Sequence, residues 1–240
     1  MNRILKAVVL YFLAIAWAEV PTCHAQEPLK KLPLEGQSFQ LEGSVAFLIP
    51  ATVEFRSTDG QVSKPWVWYA PTLPNLPGPE ERWMFERFLQ AGISIAGIDA
   101  GESYGSPNGN RVFDRLHAEM TRRGYSPRPV MLGRSRGGLQ TLSWAADHPE
   151  QVAAWTGIYP VCNLASYPGL ERAAGAYELN PQQLKERLKE FNPVDRMGKL
   201  ANPKFRCLRS MGMSIRWCRW SSIPACSKRL MPMLTAQRWN

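Results

Sequence analysis

Apolar and polar positions follow two rhythms along the chain, and the change of rhythm marks out the elements. Short apolar runs recur at Trp66–Ala70, Ile93–Ile98, Pro129–Leu132 and Val152–Ile158. Runs of this length, rich in β-branched and aromatic residues, predict strands buried on both faces. Between them the apolar residues shift to helical spacing. Glu80–Gln90 carries Trp83, Phe85, Phe88 and Leu89, opens on acidic residues and is followed by Gly92, which predicts a helix with a defined start and stop. Val112–Arg123 and Leu139–Ala146 predict two more helices, while Ser106–Asn110, with its Pro, Asn and Gly, reads as a loop. Strands alternating with three-turn helices call for a mostly parallel sheet with helices on both faces, joined by right-handed crossovers.

The flanks are less regular. Gln26 to about Glu42 is polar and Pro-containing and reads as an extension, leading through the apolar run Val45–Ile49 to an edge hairpin at Ala51–Phe55 and a Thr58-Asp59-Gly60 turn. Downstream, Glu171–Tyr177 and Gln182–Glu190 read as helices within Asn163–Phe191. The polar Gln183, Lys185, Glu186, Lys189 and Glu190 form a solvated face there.

One motif carries chemistry. Gly133-Arg134-Ser135-Arg136-Gly137, followed by Gly138, matches G-x-S-x-G, and it sits between an apolar strand and a helix. A strand-to-helix turn this sharp forces the serine into a strained conformation and needs glycine where a Cβ would strike neighbouring backbone. The expected result is Ser135 as an exposed nucleophile, with the Arg136 backbone N–H donating to an oxyanion. Gly101-Glu102-Ser103-Tyr104-Gly105 fits the same pattern. It is followed by the predicted loop and not by a helix, so Ser103 is not assigned the role.

These residues resemble the α/β-hydrolase family. The likeness is carried by Gly133–Gly138, by Ala146-Asp147-His148-Pro149-Glu150-Gln151-Val152 and by Gly97–Gly105, and it covers roughly residues 40–203. It implies an α/β-hydrolase fold over residues 26–203 and cleavage of a carboxylic ester or related acyl bond. It also implies a second oxyanion donor in the loop after the strand at Trp66–Ala70, near Thr72-Leu73, with Leu73 the candidate. No glycine run marks that loop. Glu102, Tyr104 and Arg134 are the candidate substrate contacts, and Asn163–Phe191 falls where the family carries a lid.

In this fold an acid and a histidine follow the serine. The chain has three histidines: His24 near the N-terminus, His117 upstream of the motif, and His148 beyond the far end of the helix that starts there. Chain order and distance leave His117 and His148 as structural or surface residues, so neither triad partner is assigned. The region that should supply them is chemically odd. The formal charge is +9, yet residues 1–203 hold 21 basic and 20 acidic residues, while Lys204–Asn240 holds eight basic residues and no acidic one. The same tail contains Cys207, Cys218 and Cys226 without a paired C-x-x-C or accompanying histidines, so it is not read as a zinc site.

Read one codon position out of frame, Ser210–Ile215 permits His-Gly-Asp-Val-Asp, the acid-bearing turn of the family, and Trp217-Cys218 forces a valine. A single frameshift therefore accounts for the missing acids, the Arg, Trp and Cys excess and the missing histidine. On that reading the C-terminal part of the hydrolase sheet is incomplete, 204–240 is an out-of-frame or disordered basic tail, and the chain is inactive or impaired.

At the other end, Arg3 and Lys6, the apolar Ala7–Ala18 and the Cys23-His24-Ala25 site predict a signal peptide over 1–25, hence a secreted or periplasmic protein with no stable membrane anchor after cleavage. Small-molecule or polymer esters are the expected substrates. Neither a cofactor nor a metal is implied, and no nucleic-acid motif frames the tail. The rival reading is a non-catalytic exported binding protein whose tail, with Arg216, Trp217, Arg219 and Trp220, holds an anionic polymer or membrane surface.

Overall fold

The computed structural model describes residues 29–56, 60, 62–200 and 206–207, and gives no side-chain surroundings for 199–200 and 206–207. The expected signal peptide and all of the tail except Arg206–Cys207 lie outside the described residues.

Seven strands form one sheet. They are β1 (Gln37–Leu41), β2 (Ser44–Ile49), β5 (Trp66–Ala70), β6 (Ser94–Ile98), β7 (Val130–Arg134), β8 (Ala154–Ile158) and β9 (Arg206–Cys207), and their order across the sheet is β1-β2-β6-β5-β7-β8-β9. β2 runs antiparallel to β1 and β6, and the pairs from β6 through β9 are parallel. A separate two-stranded ribbon joins β3 (Phe55–Arg56) to β4 (Val62–Ser63).

Three main helices cover the sheet. The first, α1 (Arg82–Gln90), follows a 3₁₀ turn at Pro79–Glu81 and packs Phe85 and Phe88 with Val67, Tyr69, Ile95 and Leu132. The other two, α2 (Pro107–Arg122) and α3 (Gly137–Asp147), bury Phe113, Leu116, Met120, Leu142 and Trp144 with Trp66, Trp68, Ile98, Met131 and Trp155. Successive strand residues point to opposite faces, so β5 sends Val67 and Tyr69 to one layer and Trp66 and Trp68 to the other. The expected sheet with helices on both faces is therefore present.

Five sequence expectations are corrected. The extension at 26–42 contains β1, whose Phe39 and Leu41 pack on the core. A short half-polar edge strand carries too few apolar positions to stand out as a run. The edge hairpin lies later than Ala51–Phe55, because its pairing is Phe55 with Ser63 and Arg56 with Val62. Ser106–Asn110 is not a loop. Ser106 caps α2 by accepting from the Gly109 N–H, and Pro107 stands at a first-turn position where its missing N–H costs nothing. The charged helix Gln182–Glu190 is two pieces, α5 (Pro181–Glu186) and α6 (Leu188–Phe191), separated at Arg187 and preceded by α4 (Leu170–Ala173). Finally, β9 lies beyond Pro203, where the pattern stopped predicting elements, and pairs Arg206 with Ala154 and Cys207 with Trp155.

Candidate active site

The turn from β7 into α3 has the geometry that the motif predicts. Ser135 is exposed and takes a left-handed φ of 49°, which a non-glycine residue holds only when its surroundings over-determine it. Backbone hydrogen bonds do so: Ser135 N–H donates to the Ile158 carbonyl at 2.9 Å, and the Ser135 carbonyl accepts from Val161 N–H at 2.8 Å and Gly138 N–H at 3.0 Å. The glycines leave the room this needs. A Cβ on Gly133 would lie 2.6 Å from Thr141 Oγ1 and 2.8 Å from Gly138 Cα, and one on Gly138 would lie 2.5 Å from the Val161 carbonyl oxygen. At Gly137 it would run into the Ala70 and Pro71 backbone, so the end of β5 and the loop after it are pressed against the start of α3.

That contact matters for the oxyanion donors. Arg136 stands at the N-cap of α3, where backbone N–H groups have no partner inside the helix. Leu73 lies in the loop between β5 and α1. Among the described residues neither the Arg136 N–H nor the Leu73 N–H has a hydrogen-bond partner. One unspent donor thus stands at the start of the helix, and the other lies two residues beyond Pro71, whose backbone is pressed against Gly137.

Glu102 and Tyr104 come to the same mouth. Glu102 forms an ion pair with the Arg136 guanidinium. Their loop is tied to α3 by Gln140 Nε2, which donates to the Gly101 carbonyl at 2.9 Å and to Ser103 Oγ at 3.2 Å, and by Ser143 Oγ, which donates to the Gly105 carbonyl at 2.6 Å. Burial, with the neighbouring Glu102 carboxylate, raises the Tyr104 phenol above its ordinary value. The Tyr104 carbonyl accepts from Tyr177 Oη at 2.9 Å, and Tyr177 packs with Leu139, Leu164 and Leu184. Asn163–Phe191 therefore covers the start of α3 and the Gly101–Gly105 loop, the place expected of a lid.

Ser103 is a different kind of serine. It is buried, and the left-handed non-glycine residue in its loop is Tyr104, at φ 49°. Although α2 follows it after all, Ser103 is not the residue held in an elbow. Arg134 is also placed differently from expectation: its guanidinium pairs with Glu81, a carboxylate only 3 % exposed that also accepts from Tyr69 Oη at 2.9 Å and from Gly78 N–H at 2.7 Å. Arg134 thus has an internal charge partner where a substrate contact was expected.

The two histidines among the described residues lie at the other end of α3. His148 caps its C-terminus, about 17 Å from the elbow at ~1.5 Å per residue. Its ring stacks on Trp144 at 4.4 Å and its Nε2 is 3.5 Å from Asp114 Oδ1. His117 Nε2 meets the Pro127 carbonyl at 2.8 Å. Among the described residues there is no cluster of three or more His, Cys, Asp or Glu able to hold a metal.

Sequence reasoning passed over Lys30, Glu81 and Tyr159. Lys30 is 5 % exposed, and its Nζ donates to the carbonyls of Leu73 and, at 2.8 Å, Leu76. Nothing in a polar, Pro-containing stretch signals a buried lysine. Glu81 reads as an ordinary acidic first-turn residue. Tyr159 follows β8 with φ 45° and is 69 % exposed, between the two residues that hydrogen-bond Ser135.

A mostly parallel sheet ordered β1-β2-β6-β5-β7-β8-β9, with a strand–serine–helix elbow at the end of β7, beside the central β5, defines an α/β-hydrolase fold. No family model and no curated protein matches the sequence. Among solved structures, the chain is similar to Est1E from Butyrivibrio proteoclasticus (14 % identity, 53 % of this chain and 51 % of that one, TM-score 0.40). It is also similar to a puromycin-hydrolyzing peptidase of Mycobacterium tuberculosis (16 %, 73 % and 30 %, 0.49) and to a lipase/esterase from Lactobacillus plantarum (15 %, 76 % and 93 %, 0.49). The chain spans about half the length of the first and under a third of the second.

Proposed function

We propose that this is an exported serine hydrolase acting on a carboxylic ester or related acyl bond, with Ser135 as nucleophile and the backbone N–H groups of Arg136 and Leu73 as oxyanion donors. The observation that carries the reading is the left-handed, exposed Ser135 beside two unspent backbone donors. Ser135 Oγ attacks the acyl carbon, its proton passes to a base, and the carbonyl oxygen gains negative charge that the two N–H groups stabilise. Collapse expels the alcohol with that proton, and water then releases the acid by the same steps. Glu102 and Tyr104 border the substrate, and Asn163–Phe191 acts as its lid.

The base and acid are the missing parts. His117 and His148 are held by other partners at the far end of α3, and the sequence places no histidine after His148. The reading therefore includes a frame change after Pro203, with the triad acid and histidine encoded out of frame and the chain as written impaired. The absence of a reachable histidine is also what favours the second reading, a non-catalytic binding protein with a basic tail.

Two measurements separate them. The coding DNA from codon 198 onward should read, in another frame, an acid-bearing turn and a later histidine. The chain as written should hydrolyse p-nitrophenyl acetate slowly, faster with added imidazole as a surrogate base, and lose that enzyme-dependent rate in Ser135→Ala. Turnover unchanged in Ser135→Ala would remove the hydrolase reading, and no hidden histidine in any frame would move the binding protein to first place.

A further inference from the structure

The loop that carries Leu73 is pinned by two buried charges of opposite sign that no step of the hydrolysis uses. From the N-terminal side, Lys30 Nζ donates to the carbonyls of Leu73 and Leu76. From the other end, the Glu81 carboxylate accepts from Gly78 N–H at 2.7 Å and pairs with Arg134, the residue immediately before Ser135. Thr72 Oγ1 adds a third tie, donating to the Ile98 carbonyl at 2.6 Å. A solvated lysine spends its three donors on water. Burying the ammonium is costly, and carbonyls without an opposite charge in contact offset that cost only in part. Burial accordingly holds the Lys30 amine below its ordinary value, with Asp99 acting against the shift. Such an arrangement has to be held by the fold around it, and what it fixes is a loop rich in Pro that lacks glycine until Gly78.

The geometry matches a requirement of the chemistry. An oxyanion donor works only when it is aimed before the charge develops, and removing one typically costs 10²–10³-fold in rate. Arg136 is fixed by α3, but Leu73 sits in irregular chain and needs its own anchor. The Leu73 carbonyl accepts from both Lys30 Nζ and Leu76 N–H, which holds the peptide plane immediately after the Leu73 N–H, while Arg134–Glu81 ties the loop to the same turn that holds Ser135. We propose that Lys30, together with the Glu81–Arg134 pair, is a positioning residue that locks the Leu73 loop against the elbow so that both oxyanion donors face one point. The inference rests on the proposed role of Ser135, and its test separates the two.

The test compares the full chain with Lys30→Met, which keeps the aliphatic stem and removes the donors, and Lys30→Arg, which restores them. Hydrogen exchange of the peptide spanning Pro71–Gly78 reads the clamp. Capture of Ser135 by a fluorophosphonate, in which Oγ–P forms as P–F breaks and fluoride leaves, reads the donors. Lys30→Met should speed exchange in that peptide at least about tenfold. It should also lower the maximal capture rate about 10- to 100-fold at an unchanged half-saturating probe concentration, and Lys30→Arg should recover most of both. If Lys30→Met does not fold, Lys30→Gln, which retains a shorter donor, is expected to give a smaller change in the same direction. Unchanged exchange at Pro71–Gly78 overturns the clamp, and faster exchange with an unchanged maximal capture rate overturns the positioning role. No capture at Ser135 in any variant, with exchange raised as expected, sinks the nucleophile and leaves the clamp standing.

Discussion

Gly138 offers the sharpest test of how the elbow is held. An alanine there would put its Cβ 2.5 Å from the Val161 carbonyl oxygen, 2.8 Å from Pro160 Cβ and 3.1 Å from Val161 N. Ordinary contact is about 3.4 Å, so the Pro160–Val161 segment must retreat by nearly an ångström, and two of the three atoms in the way are backbone. Overpacking of this kind costs about 1–3 kcal/mol. The same segment donates from Val161 N–H to the Ser135 carbonyl at 2.8 Å, and loosening that bond adds about 1 kcal/mol. Against this, alanine returns up to ~1 kcal/mol of helix propensity, discounted because Gly138 lies in the first turn of α3. The net expectation is a destabilisation of about 2–3 kcal/mol for Gly138→Ala. With a urea slope of roughly 2 kcal/mol/M the midpoint should fall by about 1–1.5 M. Gly175→Ala is the control, since a Cβ there meets nothing within 4 Å and its φ is not left-handed. It should be neutral or stabilising by up to ~1 kcal/mol. A loss under about 0.5 kcal/mol for Gly138→Ala would refute the claim that close backbone approach forces glycine at this position.

Two further outcomes follow from the charge environment. Burial pushes the Cys162 thiol up to about 11, so alkylation by iodoacetamide, followed on the Cys162 peptide, should stay slow at pH 8 and accelerate only as pH approaches 11; rapid modification at pH 8 would contradict its placement. Glu119 is held down to about 2, chiefly by its hydrogen bond from Arg122 and also by Arg123. Because the native value is the lower one, its contribution is present above about pH 4.5 and is lost as pH falls toward 2. Glu119→Gln should cost about 0.5–1 kcal/mol by denaturant titration at pH 7, and the difference from the unsubstituted chain should vanish near pH 2.

Legibility in the sequence divides by physical cause. The buried strands Trp66–Ala70, Ile93–Ile98 and Val152–Ile158 were visible because a sheet covered on both faces demands unbroken apolar runs. The elbow was visible because its glycines and serine are close in sequence and each has a steric reason. The start of α2 was misread because Pro107, Asn108 and Gly109 have the composition of a turn, whereas a cap at Ser106 and a first-turn proline make the same residues a helix start. β1 was missed because an edge strand needs few apolar side chains. Lys30 and the Arg134–Glu81 pair were invisible for another reason: their partners are 43 and 53 residues away, and what they contact is backbone carbonyls or a carboxylate read as surface. The Gly101–Gly105 loop could be placed near the elbow because it follows β6, which is separated from β7, the strand leading to Ser135, only by β5.

The central claim is that Ser135 Oγ is a nucleophile, and mass spectrometry of the chain after long incubation with a fluorophosphonate tests it most directly. The account predicts a slow adduct on the peptide containing Ser135, faster with imidazole present and absent in Ser135→Ala. An adduct on Ser103, or none on Ser135 under either condition, would contradict it.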